Sequence, residues 1–220
     1  EYWKRYSPQL FVTASHATQF NLEMPFGKGL IVSGNNRFYA LDKKQFREFT
    51  TFLRGVLFNG KEDDLLSFLN RIKAPVIETR PVPAVWVAAG NCLIGDAKKT
   101  KNSMAVTALS RYGFNQLVGY TVPSWYGKGG WGTLGLLFSN HDASSLAEAW
   151  YLNNQFILDE TMTRFPKLMD VHFNSPDING IKNDPDFARG MNSAGYGMGK
   201  DQLGLIHDRD TVAFYGDPAW

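Results

Sequence analysis

The sequence predicts an α/β protein built on a mostly parallel sheet, three layers deep, with a hairpin addition. Three observations lead there. Short apolar runs of strand type, at residues 9–15, 83–89 and 114–121, are separated by stretches with helical spacing. The run at 83–89 is rich in Val and Trp with no polar alternation, as suits a strand buried on both faces. Between Asn21 and Ala40, two turns, Gly27-Lys28-Gly29 and Gly34-Asn35-Asn36, divide strand-like runs in the manner of a hairpin.

Each element follows from its residues. Residues 1–7 are polar and aromatic and read as the tail of a helix, closed by Pro8. The strand at 9–15 ends on His16. Phe46, Phe49, Leu53, Val56 and Leu57 recur at helical spacing, and Asn59-Gly60 ends that helix. A second begins near Asp63-Asp64, whose carboxylates suit a helix N-terminus. Pro75, Pro81 and Pro83 stiffen the connector into the central strand. Met104, Ala105, Ala108 and Leu109 make a helix face closed by Gly113. Residues 123–132 read as an aromatic, glycine-rich loop, with a helix opening at Thr133. A long helix is expected over 144–165, with Leu146, Trp150, Phe156, Ile157 and Met162 on one broad side. Residues 166–200 read as irregular surface, and 202–207 with 211–215 as a final strand pair around Asp208-Arg209-Asp210.

Composition narrows the function classes. The 220 residues are enough for one sizeable core, and 44% hydrophobic with 20% charged content is that of an ordinary globular protein. A net charge of +2 gives no electrostatic case for nucleic acid or an anionic membrane as partner. No apolar run approaches membrane-spanning length. The lone cysteine excludes an internal disulfide, and no Cys/His spacing suggests a metal. The chain opens at Glu1 without Met or a signal-like segment, as a processed product would.

Two strand ends carry candidate chemistry. Cys92 follows Gly90-Asn91 at the carboxyl end of the central strand, and His16 ends the strand before it. Ligands of parallel α/β sheets sit at that edge. A thiol nucleophile needs a base to take its proton, and an imidazole supplies one. The backbone N–H groups of Cys92 and Ala17 are candidate donors to a tetrahedral oxyanion. The plainer reading of each residue stands beside this: a small buried thiol and a structural histidine. Gly127-Lys128-Gly129-Gly130-Trp131-Gly132 matches a dinucleotide fingerprint letter for letter, but Pro123 to Tyr126 intervene after the strand and Trp131 is bulky. His141-Asp142 reads as a helix cap and His172 as a surface residue. Asp208 and Asp210 alone make a weak cation site, and Trp125, Tyr126, Trp131 and Tyr196 either form an aromatic subsite or pack their loop onto the domain.

The segments Ser15-His16-Ala17 and Ala88-Ala89-Gly90-Asn91-Cys92-Leu93-Ile94-Gly95-Asp96 resemble the catalytic segments of gingipain-type cysteine peptidases, caspase-like enzymes with a His–Cys dyad. Residues 103–113 resemble the helix after the nucleophile. Val118-Gly119-Tyr120-Thr121-Val122-Pro123-Ser124-Trp125 resembles the next strand and its substrate loop, and Phe214-Tyr215-Gly216-Asp217-Pro218-Ala219 the family's ending. The similarity is greater to bacterial relatives of the gingipains than to the gingipains themselves. It implies one caspase-like domain over 1–220, with a helical insertion at 43–73. The family's first strands would come from an upstream segment of the same precursor. It also implies Cys92 as nucleophile, His16 as general base and acid, an oxyanion hole from the backbone of Cys92 and Ala17, and a specificity pocket at Ser124, Trp125 and Tyr126. The substrate would be a peptide or protein, cleaved through a thioester, outside the cell or in the periplasm. Ala17 stands where the family has glycine. The alternative carried with this reading is a catalytically silent module of the same fold that binds peptide or glycan.

Overall fold

The structure is a computed structural model that describes residues 8–59, 64–79, 82–97, 101–124, 126–139, 145–172, 185–197 and 199–220. The readings placed on residues 1–7, on Trp125 and on His141-Asp142 lie outside these. A four-stranded sheet runs β1 (Leu10–Val12), β6 (Ala84–Val87), β7 (Phe114–Tyr120) and β8 (Val212–Gly216) in spatial order. β1, β6 and β7 are parallel and β8 is antiparallel, with Val12 opposite Val87 and Val87 opposite Val118. The expected mostly parallel α/β sheet is therefore present.

Alternation along the central strands feeds two cores. Trp86, Leu117 and Phe114 point to one face and pack with Met104, Ala105 and Ala108 of α3 (Met104–Arg111). Val87, Val118 and Tyr120 point to the other and meet Leu134 of α4 (Lys128–Ser139) and Leu146 of α5 (Leu146–Arg164). The Trp86 ring also packs at 5.5 Å from both Phe11 and Phe114, which ties the three parallel strands together.

The hairpin addition is larger than expected. β2 (Ala17–Thr18), β3 (Asn21–Glu23), β4 (Gly29–Gly34) and β5 (Arg37–Asp42) form a second, wholly antiparallel sheet. Against it lie α1 (Lys43–Asn59) and α2 (Asp64–Arg71). Phe20, Leu30, Val32, Leu41, Phe49, Leu65, Phe68 and Leu69 make its own core. Residues of the 43–71 helices thus face this sheet, filling their 3.6-residue stripe against strands of period two.

Four other expectations are corrected. The helix expected from Thr133 starts at Lys128, because Gly129 and Gly130 serve close packing and not a flexible loop. A Cβ on Gly130 would lie 2.2 Å from the Ala89 carbonyl oxygen, and one on Gly129 2.4 Å from Val212 Cγ2. The expected strand at 202–207 belongs instead to α7 (Lys200–Thr211), and only β8 follows. That helix buries Leu203, Gly204, Leu205, Ile206, His207 and Asp208 in succession, so it shows no amphipathic period and reads as a buried strand. The segment 166–200 is not wholly irregular: α6 (Pro185–Ala194) lies within it, with Phe187 and Met191 packed against Leu168, Val171 and Ile206. On α5, Phe156 and Met162 are exposed, 58% and 55%, rather than sharing the buried side with Ile157. No helix among the described residues is long and apolar enough to cross a membrane.

Candidate functional site

The carboxyl ends of β1 and β6 lie side by side, because Val12 pairs with Val87 and Thr13 N–H continues the ladder to the Val87 carbonyl at 3.0 Å. Beyond them a polar chain joins the two loops. Trp86 Nε1 donates to Thr13 Oγ1 at 2.8 Å, Thr13 Oγ1 donates to Asn91 Oδ1, and Asn91 Nδ2 donates to the Ser15 carbonyl at 2.8 Å. Trp86 and Asn91 are fully buried. This chain of donors fixes which way the Asn91 amide points. It also fixes Ser15, the residue before His16, against Asn91, the residue before Cys92. Asn91 was part of the sequence motif but had no role; its signal is a single amide inside an apolar run.

Replacing Asn91 Nδ2 by an oxygen would face the Ser15 carbonyl with a second acceptor. Asn91→Asp is therefore expected to cost about 1–3 kcal/mol, read as a lowered urea midpoint with an unchanged slope. A midpoint equal to wild type would refute the bridge.

His16 is exposed, and its backbone carbonyl accepts from Glu23 N–H at 3.0 Å. Among the described residues no hydrogen bond reaches its ring. Cys92 is partly buried, and its Sγ lies 3.7 Å from the Ser124 carbonyl oxygen and 3.6 Å from Ser124 Oγ. No hydrogen bond joins Sγ to the His16 ring among the described residues. Ala17 opens β2, paired with Leu22, and packs against the core that contains Leu22 and Trp86. Its φ is not left-handed, so alanine fits there without strain.

The turn after the thiol is held hard. Leu93 sits at φ 60°, a conformation a branched side chain rarely takes. Leu93 N–H donates to the Val122 carbonyl at 3.2 Å and Gly95 N–H to the Tyr120 carbonyl at 2.9 Å. A Cβ on Gly95 would stand 2.3 Å from the Gly119 carbonyl oxygen, so the loop lies flush on β7 only because this residue is glycine. The thiol loop is thereby paired to the chain leading into Ser124.

Tyr126 packs on α7. Its ring lies on Gly204 of α7, where a Cβ would meet ring atoms at 2.3 Å, and its hydroxyl donates to Asp201 Oδ1 at 3.1 Å. Burial, with the Asp201 carboxylate, pushes that hydroxyl up to about 12. Arg164 bonds both Glu160 and Asp201, and Lys128 bonds Glu160. Lys128, Arg164 and the hydrogen bonds they give hold the Glu160 carboxyl below its ordinary value, the Lys128 bond first. A lowered folded-state value stabilises above the unfolded value and is lost as pH falls through the folded one. The Tm gap between wild type and Glu160→Gln should thus be full near pH ~6 and close below the ordinary carboxylate value of about 4.3. A gap that persists unchanged into acid would contradict this assignment.

Trp131 stands on the other side of the thiol loop. Half of it is exposed, and a Cβ on Gly90 would lie 3.4 Å from its Nε1 and 3.2 Å from Ala14 Cβ. Tyr196 instead packs edge-on against Phe165 at 5.4 Å, in the cluster beneath α6. Of the aromatics within the described residues, Tyr126 and Tyr196 secure segments to the domain.

The glycine motif opens α4, but its N-terminal donors are already engaged. Gly129 N–H donates to Asp208 Oδ2 at 2.8 Å and Gly130 N–H to the Tyr120 hydroxyl at 3.2 Å. A carboxylate of the chain itself sits where the fingerprint would place a phosphate. Asp208 is fully buried and is spent on this and on His207, so it is not half of a surface cation pair with Asp210. Asp210 is bound by Arg209, whose guanidinium also reaches the Leu168 and Val171 carbonyls. His172 is exposed as expected, 3.8 Å from Asp210. Among the described residues no group of three or more His, Cys, Asp or Glu is placed to hold a metal ion.

No family model matches this chain, and neither a curated protein nor a solved structure does.

Proposed function

We propose that the chain is a cysteine peptidase of caspase-like fold, related to the gingipain-type enzymes, with Cys92 as nucleophile and His16 as general base and acid. The observation that carries this reading is the Asn91 bridge. It ties the residue before the imidazole to the residue before the thiol at the sheet edge where such folds keep their chemistry.

In this reading the scissile carbonyl enters between Ser124 and Trp131. His16 takes the thiol proton as Sγ attacks the carbonyl carbon, and the C–N bond of the collapsing tetrahedral adduct breaks. The proton passes from His16 to the leaving amine. Water then adds to the thioester, and the acid product leaves as the thiol re-forms. The oxyanion would accept from the Cys92 N–H, for which there is no acceptor among the described residues, and from Ala17. No cofactor enters. The family's first strands, from an upstream segment of the precursor, would pair with the edge of β1 that carries no strand among the described residues. The enzyme would work outside the cell or in the periplasm.

One observation favours a second reading. The Ser124 carbonyl beside the thiol can only accept its proton and so favours the thiol over the thiolate, while the Ser124 hydroxyl can serve either form. A silent module of the same fold, binding peptide across the exposed Trp131 face, would keep the thiol in that state. Alkylation by iodoacetamide against pH separates the two. A peptidase should react well below the ordinary thiol value of about 8.5, and His16→Ala should remove that advantage. An ordinary titration, identical in both proteins, overturns the dyad.

A further inference from the structure

We propose that His207 is the positioning residue of the thiol site: its Nε2 donates to the Pro123 carbonyl and so seats Ser124 against Cys92. The proposal rests on reading Cys92 as the reactive group. It does not require that the protein turn over a peptide.

Thr121 N–H and Val122 carbonyl are used at the sheet end, on Thr211 and Leu93 respectively. Pro123 has no N–H to give. Its carbonyl is the last backbone acceptor before Ser124, and His207 Nε2 lies 3.1 Å from it. A carbonyl can only accept, so the proton on that contact belongs to the ring. The opposite nitrogen, Nδ1, faces Asp208 Oδ1 at 3.0 Å, with one proton between them. Thr211 Oγ1 stands 3.5 Å from the same Nδ1.

Asp208 is fixed in turn. Its other oxygen accepts from Gly129 N–H and from the Tyr120 hydroxyl, and burial followed by the Asp208 charge pushes that hydroxyl far up. The Tyr120 ring stacks on the imidazole at 6.0 Å. His207 and Asp208 are both wholly buried. The tautomer and tilt of His207 are therefore imposed from three elements, β7, α4 and α7. A rigid imidazole then reaches one bond from the residue that contacts Sγ. A buried hydrogen-bonded His–Asp pair costs desolvation that an apolar pair would not. Delivering a fixed donor to Pro123 is what the pair does that apolar residues could not.

The test uses the two amides that mimic the two ring nitrogens. Asparagine reaches Asp208 but falls short of Pro123; glutamine reaches Pro123. We measure the rate of Cys92 alkylation by iodoacetamide against pH in wild type, His207→Asn, His207→Gln and Ile157→Ala, the last a buried α5 residue away from the thiol. His207→Asn should change the rate about fivefold or more and move the midpoint of the profile, while His207→Gln and Ile157→Ala stay within about twofold. A wild-type profile in His207→Asn, an equal change in Ile157→Ala, or a failure of glutamine to restore the profile each overturns the proposal. If His207→Asn does not fold, the wild-type protein decides. The buried, slowly exchanging imidazole N–H resonance should shift when Cys92 is carboxamidomethylated, and an unmoved resonance overturns it. Alkylation needs no peptide, so an absence of hydrolysis defeats the peptidase reading and leaves this result standing.

Discussion

Cys92→Ala should abolish hydrolysis of a mixed peptide library while leaving the fold intact, a loss of about 10³-fold or more. The size follows from the chemistry. A methyl group cannot form the thioester, and in the proposed mechanism no other cysteine is available to replace the thiol. The substitution should be structurally mild. Sγ makes only long contacts with Ser124, and the turn is held by the backbone bonds of Leu93 and Gly95, which alanine at 92 keeps. Far-ultraviolet dichroism and the urea midpoint should match wild type closely. Wild-type turnover in the alanine variant would end the peptidase reading, because the activity would belong to another group or to a contaminant. His16→Ala should reduce turnover less completely, since a thiol can ionise without its base.

Asp208→Ala should lower stability by about 3–5 kcal/mol, more than any surface carboxylate. The carboxylate is the acceptor for His207 Nδ1, Gly129 N–H and the Tyr120 hydroxyl, all in a dry interior. Its removal strands an imidazole, a peptide donor and a phenol at once, and opens space between α4 and α7. Asp208→Asn should cost less, about 1–3 kcal/mol, because an amide oxygen can still accept from Gly129. Asp217→Ala, at the exposed end of the chain, should stay within about 0.5 kcal/mol. Urea unfolding of the three variants checks the order. A loss below about 1 kcal/mol for Asp208→Ala would mean that the pair is not desolvated as described.

Much of this was legible from residues alone, and the failures share a cause. The runs at 83–89 and 114–121 announced central strands because both faces of each are buried, and the turns at Gly27 and Asn35-Asn36 announced the hairpin because they need left-handed backbone. The convergence of the His16 and Cys92 loops was legible too, as strand ends of one parallel sheet. What failed was tertiary. Nothing local says that Gly129 and Gly130 open a helix; Ala89 and Val212, distant in sequence, demand their missing side chains. Nothing local says that Leu203 to Asp208 is helical, because burial on most sides erases the period. His207 and Asp208 looked like a polar turn for the same reason. Their partners, Pro123, Tyr120 and Gly129, come from other elements. Trp125 lies outside the described residues, and the contacts of Tyr126 with Gly204 and Asp201 are likewise tertiary.

The antiparallel sheet has one core of its own and shares another with the parallel sheet, where Leu22 and Phe38 join Trp86, and the candidate site draws on both sheets. Cys92 belongs to the loop that follows β6, while His16 lies between β1 and the first strand of the antiparallel sheet, its carbonyl pinned by Glu23. The face packed only by α1 and α2 can open with its own free energy. A transient loosening of the antiparallel sheet would free the imidazole while the thiol stayed seated on β7 through Leu93 and Gly95. The reactive pair would then exist only for the fraction of time that the smaller core is closed. Its apparent strength would be set by the stability of Phe20, Leu30, Phe49 and Leu69 as much as by the chemistry of the two side chains.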